Sequence, residues 1–189
     1  SALESSGVSG FAVQPVPLDQ AAGAKLSSYA FVVLSDTGAL PGDLERRLTS
    51  FVNDGGGLLI ALGSATVREG RVPVTSQPIG GETRPRDFDT AVVSDSGQAA
   101  LRGVAIGQVK FFSAARVDPS GAAVIARLSD GTPLLLEKSL GAGKVLVFTS
   151  GLDNTGNDFP LHVSFVPFVE QTAHLLGGAS EGPSNQQTG

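Results

Sequence analysis

The chain has no cysteine, methionine or tryptophan among its 189 residues, and only two histidines and one tyrosine. Without cysteine there is no disulfide framework, thiolate zinc site, iron–sulfur cluster or cysteine nucleophile. The lack of methionine, even at position 1, points to a processed product or a piece of a larger chain. Charge is also sparse: 16% of residues are charged and the net charge is −5. The basic residues are scattered. Their densest group, Arg68, Arg71, Arg84 and Arg86, is interleaved with Glu69, Glu82 and Asp87. Nucleic-acid binding takes most of its affinity from phosphate neutralisation by a basic face, and no such face is legible. No apolar run approaches the ~18–20 residues that span a bilayer. Ser1 to Gly10 is polar and lacks the basic start of a signal peptide.

What the chain does have is a globular apolar fraction of 41%, with 25 glycines and 11 prolines punctuating it. That composition suits short strands joined by tight turns. Gly10 to Val16 alternates weakly and reads as a strand. Tyr29 to Leu34 (YAFVVL) is a continuous apolar run, as in a strand buried on both faces. Pro41 opens a helix in which Leu44, Leu48, Phe51 and Val52 share one face. Asp54-Gly55-Gly56-Gly57 stops it, and Leu58 to Leu62 (LLIAL) follows as a second apolar run. Strand, helix and strand with tight connections predict a right-handed βαβ unit in a parallel sheet.

Ser64 to Arg86 shows no sustained period and reads as a long irregular excursion, a ligand lid or variable surface. Beyond it, Thr90 to Val93 and Gln108 to Val117 read as strands. Ala122 to Leu128 and Pro133 to Lys138 flank the hairpin signal Asp130-Gly131. Lys144 to Thr149 follows the turn Gly141-Ala142-Gly143. The second half is therefore largely antiparallel. A last helix runs from about Ser164 to Leu176, and Gly177 to Gly189 (GGASEGPSNQQTG) reads as a disordered tail or linker.

Several groups bear on chemistry. Asp54-Gly55-Gly56-Gly57 and Gly141-Ala142-Gly143-Lys144 precede strands, whereas phosphate loops follow a strand and open a helix, so both read as turns. Ser64 follows the strand Leu58 to Leu62, at the end where α/β folds place their sites. Its surroundings, Gly63-Ser64-Ala65-Thr66, match a nucleophile elbow only in part. His162 is the candidate base, with His174 further along. Gly63, Ser64 and Asp36 are the candidate ligand-binding residues. Asp153, Asn154, Asn157 and Asp158 are hard oxygen ligands that suit weak calcium binding, with Asp153 and Asp158 the candidate metal ligands; the same residue types also serve as turn and cap residues. Phe159-Pro160-Leu161 with Phe165-Val166-Pro167-Phe168 reads as the docking face of the last helix, or as an exposed partner surface.

The order of Tyr29 to Asp36, Leu44 to Val52 and Gly55 to Gly63 resembles the class I glutamine amidotransferase-like superfamily. Asp130 to Leu135, Gly141 to Thr149, Asn157 to Leu161 and Phe165 to Phe168 resemble the C-terminal region of bacterial BatA-like membrane proteins. The resemblance implies a parent chain with upstream membrane helices, often with a von Willebrand A-type domain. It also marks a departure: the family's elbow cysteine is absent, and no histidine precedes a glutamate by two or three residues. Glutaminase chemistry is therefore not expected. The expectation is an α/β fold, a flavodoxin-like three-layer sandwich with a mostly parallel sheet and an antiparallel β extension. Residues 1–176 would form one domain. Its expected role is non-enzymatic, as an interaction or ligand-sensing module with a protein partner and no cofactor. It would lie on the extracytoplasmic face of a membrane-anchored bacterial protein. The alternatives are a serine-dependent hydrolase built on Ser64 and a calcium- or carbohydrate-binding module.

Overall fold

A computed structural model describes residues 16–21, 23–29, 31–152, 155–159, 171 and 176. In chain order the elements are α1 (Leu18–Ala21), β1 (Phe31–Ser35), α2 (Gly42–Asn53), β2 (Gly57–Ala61), α3 (Ser64–Glu69), β3 (Ile79–Thr83), β4 (Ala91–Val93), β5 (Ala114–Val117), β6 (Ala123–Leu128), β7 (Pro133–Leu140) and β8 (Gly143–Phe148). Six strands form one sheet in the order β1-β2-β8-β7-β6-β4, and β3 pairs with β5 in a separate antiparallel pair. No helix among the described residues is long and apolar enough to cross a membrane.

The βαβ unit forms as its pattern predicts: β1 and β2 are parallel, and β8 joins β2 in parallel on the other side. The other three pairings, β8–β7, β7–β6 and β6–β4, are antiparallel. The antiparallel portion is thus continuous with the parallel strands in one mixed α/β sheet. The central strands are apolar throughout because both faces are covered. On one face Leu58, Ile60, Val145 and Val147 pack with Leu44, Leu48 and Val52 of α2. On the other, Leu59, Leu146 and Phe148 pack with Phe111, Phe159 and Leu176.

Helix α2 forms where its apolar positions repeat at i, i+4 and i+8, with Asp43 and Glu45 complementing the positive end of its dipole. It stops where Gly55 adopts φ 110°, and the amides of Gly55 and Gly56 return to the carbonyls of Val52 and Phe51 at 2.9 Å. The turn Gly141-Ala142 closes the β7–β8 hairpin, and the Ala142 amide donates to the Asn53 carbonyl at 3.0 Å. The two glycine-rich turns therefore pack on each other.

The segment read as an irregular excursion is ordered. It holds α3, then a turn pinned to α2, then β3. The pin is Glu45, which accepts from both terminal nitrogens of Arg71 at 2.7 and 2.8 Å and from the Val74 amide at 3.0 Å. Such fixation has no periodic signature, so the local pattern could not show it. The hydrogen bond from Arg71 is the main reason the Glu45 carboxyl lies below its usual range. Its contribution to stability is complete at neutral pH and is lost as pH falls through the ordinary glutamate range toward the lowered folded value, because the unfolded chain's carboxyl takes up its proton first. Arg71 is half-exposed, so solvent screening limits the pair to under about 1 kcal/mol. Glu45→Gln is expected to lower stability by that amount at pH 7 and hardly at all at pH 3, in urea denaturation at the two values.

The stretch Gln108 to Val117 is strand only from Ala114. Before it, Ile106–Gln108 is a turn of 3-10 helix, and Phe111 makes isolated bridges to Asp89 and Asn157. The predicted strand Gly10 to Val16 and the tail Gly177 to Gly189 lie outside the described residues, Val16 excepted. Of the last helix only Gln171 and Leu176 are described; both are helical, and Leu176 is buried against Gly57.

Candidate functional site

Because β1, β2 and β8 are parallel, their C-terminal ends open on one edge of the sheet. A cleft of about 320 Å³ lies there. Its floor is made by Asp36 after β1, Leu62, Gly63 and Ser64 after β2, and Thr149 and Ser150 after β8. Glu82 and Arg84, at the end of β3, form one wall. Phe112 and Ser113 lead into β5 and form another, beside residues 150–152 and 155–156. The lining is mixed, with Ser35, Ser64, Ser113, Thr149, Ser150 and Thr155 carrying hydroxyls beside charged and apolar residues.

The three predicted ligand-binding residues do meet here. Asp36 has φ 44°, a left-handed conformation that aspartate tolerates better than most residues. Its Oδ1 accepts from the amides of Ala65 and Thr66 at 3.0 and 3.2 Å. Asp36 therefore caps α3 from another strand, since Gly63 at the cap position has no side chain to do so. A Cβ on Gly63 would strike the Asp36 carboxyl. Gly63 is required by this close approach, not by its backbone angles. Asp36→Ala is expected to cost about 1–2 kcal/mol, in the range for a lost charged cap. Asp36→Asn, which keeps the acceptor, should recover about half of that loss; urea midpoints compare the two.

Ser64 is the first residue of α3, exposed in the cleft. Its hydroxyl makes no hydrogen bond among the described residues, and the neighbouring carboxylate of Asp36 is held by α3 amides. No described histidine or carboxylate is therefore set to activate it. His162 and His174 lie outside the described residues, as do Asp153 and Asn154.

The acidic and amide cluster after β8 has work within the fold. Asp158 Oδ1 accepts from the Lys110 amide at 2.7 Å, and the Asp158 amide donates to the Lys110 carbonyl at 3.0 Å. Asn157 is fully buried. Its Nδ2 donates to the carbonyls of Ser150 and Gly151 and to the Ser150 hydroxyl, and its Oδ1 accepts from the Phe159 amide. These contacts hold Ser150 and Gly151, which line the cleft. Phe159 beside them packs on Phe148, ring centres 6.1 Å apart, so it belongs to the core. Among the described residues no three His, Cys, Asp or Glu side chains are grouped to hold a metal.

In fold, the chain is similar to two cytoplasmic proteins of Salmonella typhimurium. One superposes with a TM-score of 0.74 at 18% identity, over 93% of this chain and 86% of that one. The other gives 0.72 at 14%, over the same shares. A ThuA-like protein from Parabacteroides merdae gives 0.58 at 16%, over 93% of this chain and 83% of that one. At these identities the likeness is one of fold. No protein-family model and no curated protein matches the sequence.

Glu82, Arg84, Phe112, Ser113 and Ser150 were not legible as site residues. Arg84 stands out in the sequence only as part of a mixed-charge cluster. The rest carry no motif, because tertiary folding alone brings β3, the entry to β5 and the end of β8 to the same strand ends.

Proposed function

We propose that this domain is a non-catalytic ligand-sensing module of the glutamine amidotransferase-like kind, with a flavodoxin-like three-layer core. Its ligand site is the cleft at the ends of β1, β2 and β8. The observation that supports this most is the state of the cleft's reactive groups. The strand-end hydroxyl of Ser64 has no described partner to activate it, and Asp36 is held in a capping role. The cleft keeps a binding geometry at the place where open α/β sheets take ligands.

The wider context in this reading is a membrane-anchored bacterial protein that carries the domain on its extracytoplasmic side and signals ligand occupancy to a protein partner. The resemblance of Asp130 to Leu135 and Gly141 to Thr149 to BatA-like chains supports that context.

The test has two parts. An NMR screen of small sugars, nucleosides, amino acids, organic acids and polyamines should find compounds whose amide shifts cluster at Ser64, Ser113 and Gly151. A screen with no hit in the cleft overturns the site. A fluorophosphonate probe, which labels base-activated serines, should leave Ser64 unmodified. Labelling that disappears in Ser64→Ala would establish the serine hydrolase instead.

A further inference from the structure

We infer that the cleft takes a neutral polyhydroxy ligand, a sugar or sugar alcohol, with a C–H face laid on Phe112 and hydroxyls turned to the serines. This rests on reading the cleft as a ligand site and adds the chemical class.

Charge is the first argument. Every described ionic group lining the cleft already has its counterpart. The carboxylate of Asp36 accepts from the first amides of α3. An incoming carboxylate or phosphate meets that charge as repulsion. Arg84 donates to Glu82 Oε2 from Nε at 3.0 Å and from a terminal nitrogen at 2.7 Å. An anion recruiting Arg84 must break this forked pair and leave Glu82 behind. A cation finds Glu82 already paired with Arg84 and the Asp36 charge already engaged by the α3 amides, so it gains little. Compensated charges of this kind discriminate against both signs and leave a neutral ligand least penalised.

Hydrogen-bonding capacity is the second. Ser35, Ser64 and Ser113 line the cleft, and their hydroxyls make no hydrogen bond among the described residues. Each can donate one hydrogen bond and accept others, as a sugar hydroxyl also can. Glu82 Oε1 is likewise without a described partner, because Arg84 binds only Oε2. It offers an acceptor for a hydroxyl beside the guanidinium.

Phe112 is the third. The residue is 40% exposed in a chain with few aromatics, and it lines this polar cleft. A lone exposed phenylalanine is unremarkable elsewhere on a surface. Beside a group of free hydroxyls it supplies the apolar surface that a pyranose needs for its C–H face. The volume of about 320 Å³ is at the small end for ligand sites and suits one or two sugar rings.

Titration calorimetry and saturation-transfer NMR would use D-glucose, D-galactose, sorbitol and maltose, with glucuronate and glucosamine as charged counterparts. At least one neutral probe should bind, about tenfold or more tighter than either charged one. Raising sodium chloride from 50 to 500 mM should leave its affinity unchanged. Phe112→Ala should weaken it about tenfold at an unchanged melting temperature, whereas Phe112→Tyr should keep it. Tighter binding of glucuronate or glucosamine overturns the inference, as does neutral binding indifferent to Phe112→Ala. If none of the neutral probes binds but the wider screen finds another class of ligand in the cleft, the polyol assignment fails and the site stands. If nothing binds in the cleft, both fail.

Discussion

Replacing Gly143 by valine is expected to destabilise the domain by about 3 kcal/mol or more, at the upper end for overpacked interiors. A Cβ at this position would collide with the carbonyl oxygens of Val52 and Gly56. Both are main-chain atoms, one in the last turn of α2 and one in the helix stop, so neither can swing aside as a side chain would. The Ala142 amide bonds to the Asn53 carbonyl next to them, and Gly141, at φ 60°, sits against Asn53 as well. Relief requires moving the β7–β8 turn away from the α2–β2 turn. That displaces β8 from β2, the junction between the parallel and antiparallel halves of the sheet. Gly131→Ala is the control. Gly131 also has a positive φ, 93°, but has open space around it, so its substitution should cost only about 1 kcal/mol of backbone strain. Equal urea midpoints for the two variants would refute the packing account.

The second large effect is expected at Asn157. Asn157→Leu should cost about 3 kcal/mol and weaken ligand binding in the cleft together with it. The side chain fits by volume, but it leaves the carbonyls of Ser150 and Gly151 and the Phe159 amide without their partner in a fully buried position. Orphaned buried groups cost about 1–3 kcal/mol each where water cannot reach them. Ser150 and Gly151 then lose their anchor, and with them part of the cleft lining. Asn157→Asp separates the causes. It keeps the acceptor for Phe159 but turns a charged oxygen toward two carbonyls. Burial and those carbonyls favour the protonated acid, raising its folded pKa. Asn157→Asp should therefore be less destabilised at pH 4 than at pH 7, while Asn157→Leu should show no such dependence. Denaturation at both pH values reads the difference. Asp158→Ala, at the next position, should cost less than either, because solvent can replace its contact with Lys110.

Much of the fold was legible because its signals are local. The runs Tyr29 to Leu34 and Leu58 to Leu62 read as strands from their apolar content, and β2 is covered on both faces while β1, at the sheet edge, is only partly covered; the spacing of Leu44, Leu48 and Val52 admits one helical stripe. Asp130-Gly131 and Gly141-Ala142 set hairpins, since glycine supplies the positive φ that these turns adopt. The order within Ser64 to Arg86 is hidden from the local pattern for the opposite reason. It comes from Glu45 holding Arg71 and from Asp36 capping α3, contacts between residues nearly thirty positions apart.

The candidate site divides in the same way. Asp36, Gly63 and Ser64 could be picked out because each follows a recognisable strand, and strand ends are where such sheets take ligands. What Asp36 does there could not be read. Its role as a remote cap follows from the adjacency of β1 and β2 and from a glycine that lets its carboxyl approach. Asn157 was weighed as a metal ligand because its oxygen chemistry permits that. Burial settled its role, since an amide enclosed among carbonyls must satisfy them.

The amino-acid sequence determined the types of β1, α2, β2 and the hairpin strands β6 to β8, the parallel pairing at the start of the sheet, and the absence of thiol chemistry. These depend on periodicity, turn residues and composition, which act over a few positions. Only the tertiary structure decided that β8 inserts beside β2, that two glycine-rich turns lock together at Gly143, and that the walls of the cleft come from β3, the entry to β5 and the turn after β8. Such contacts join distant segments through shape and complementary hydrogen bonds, and a one-dimensional pattern carries neither.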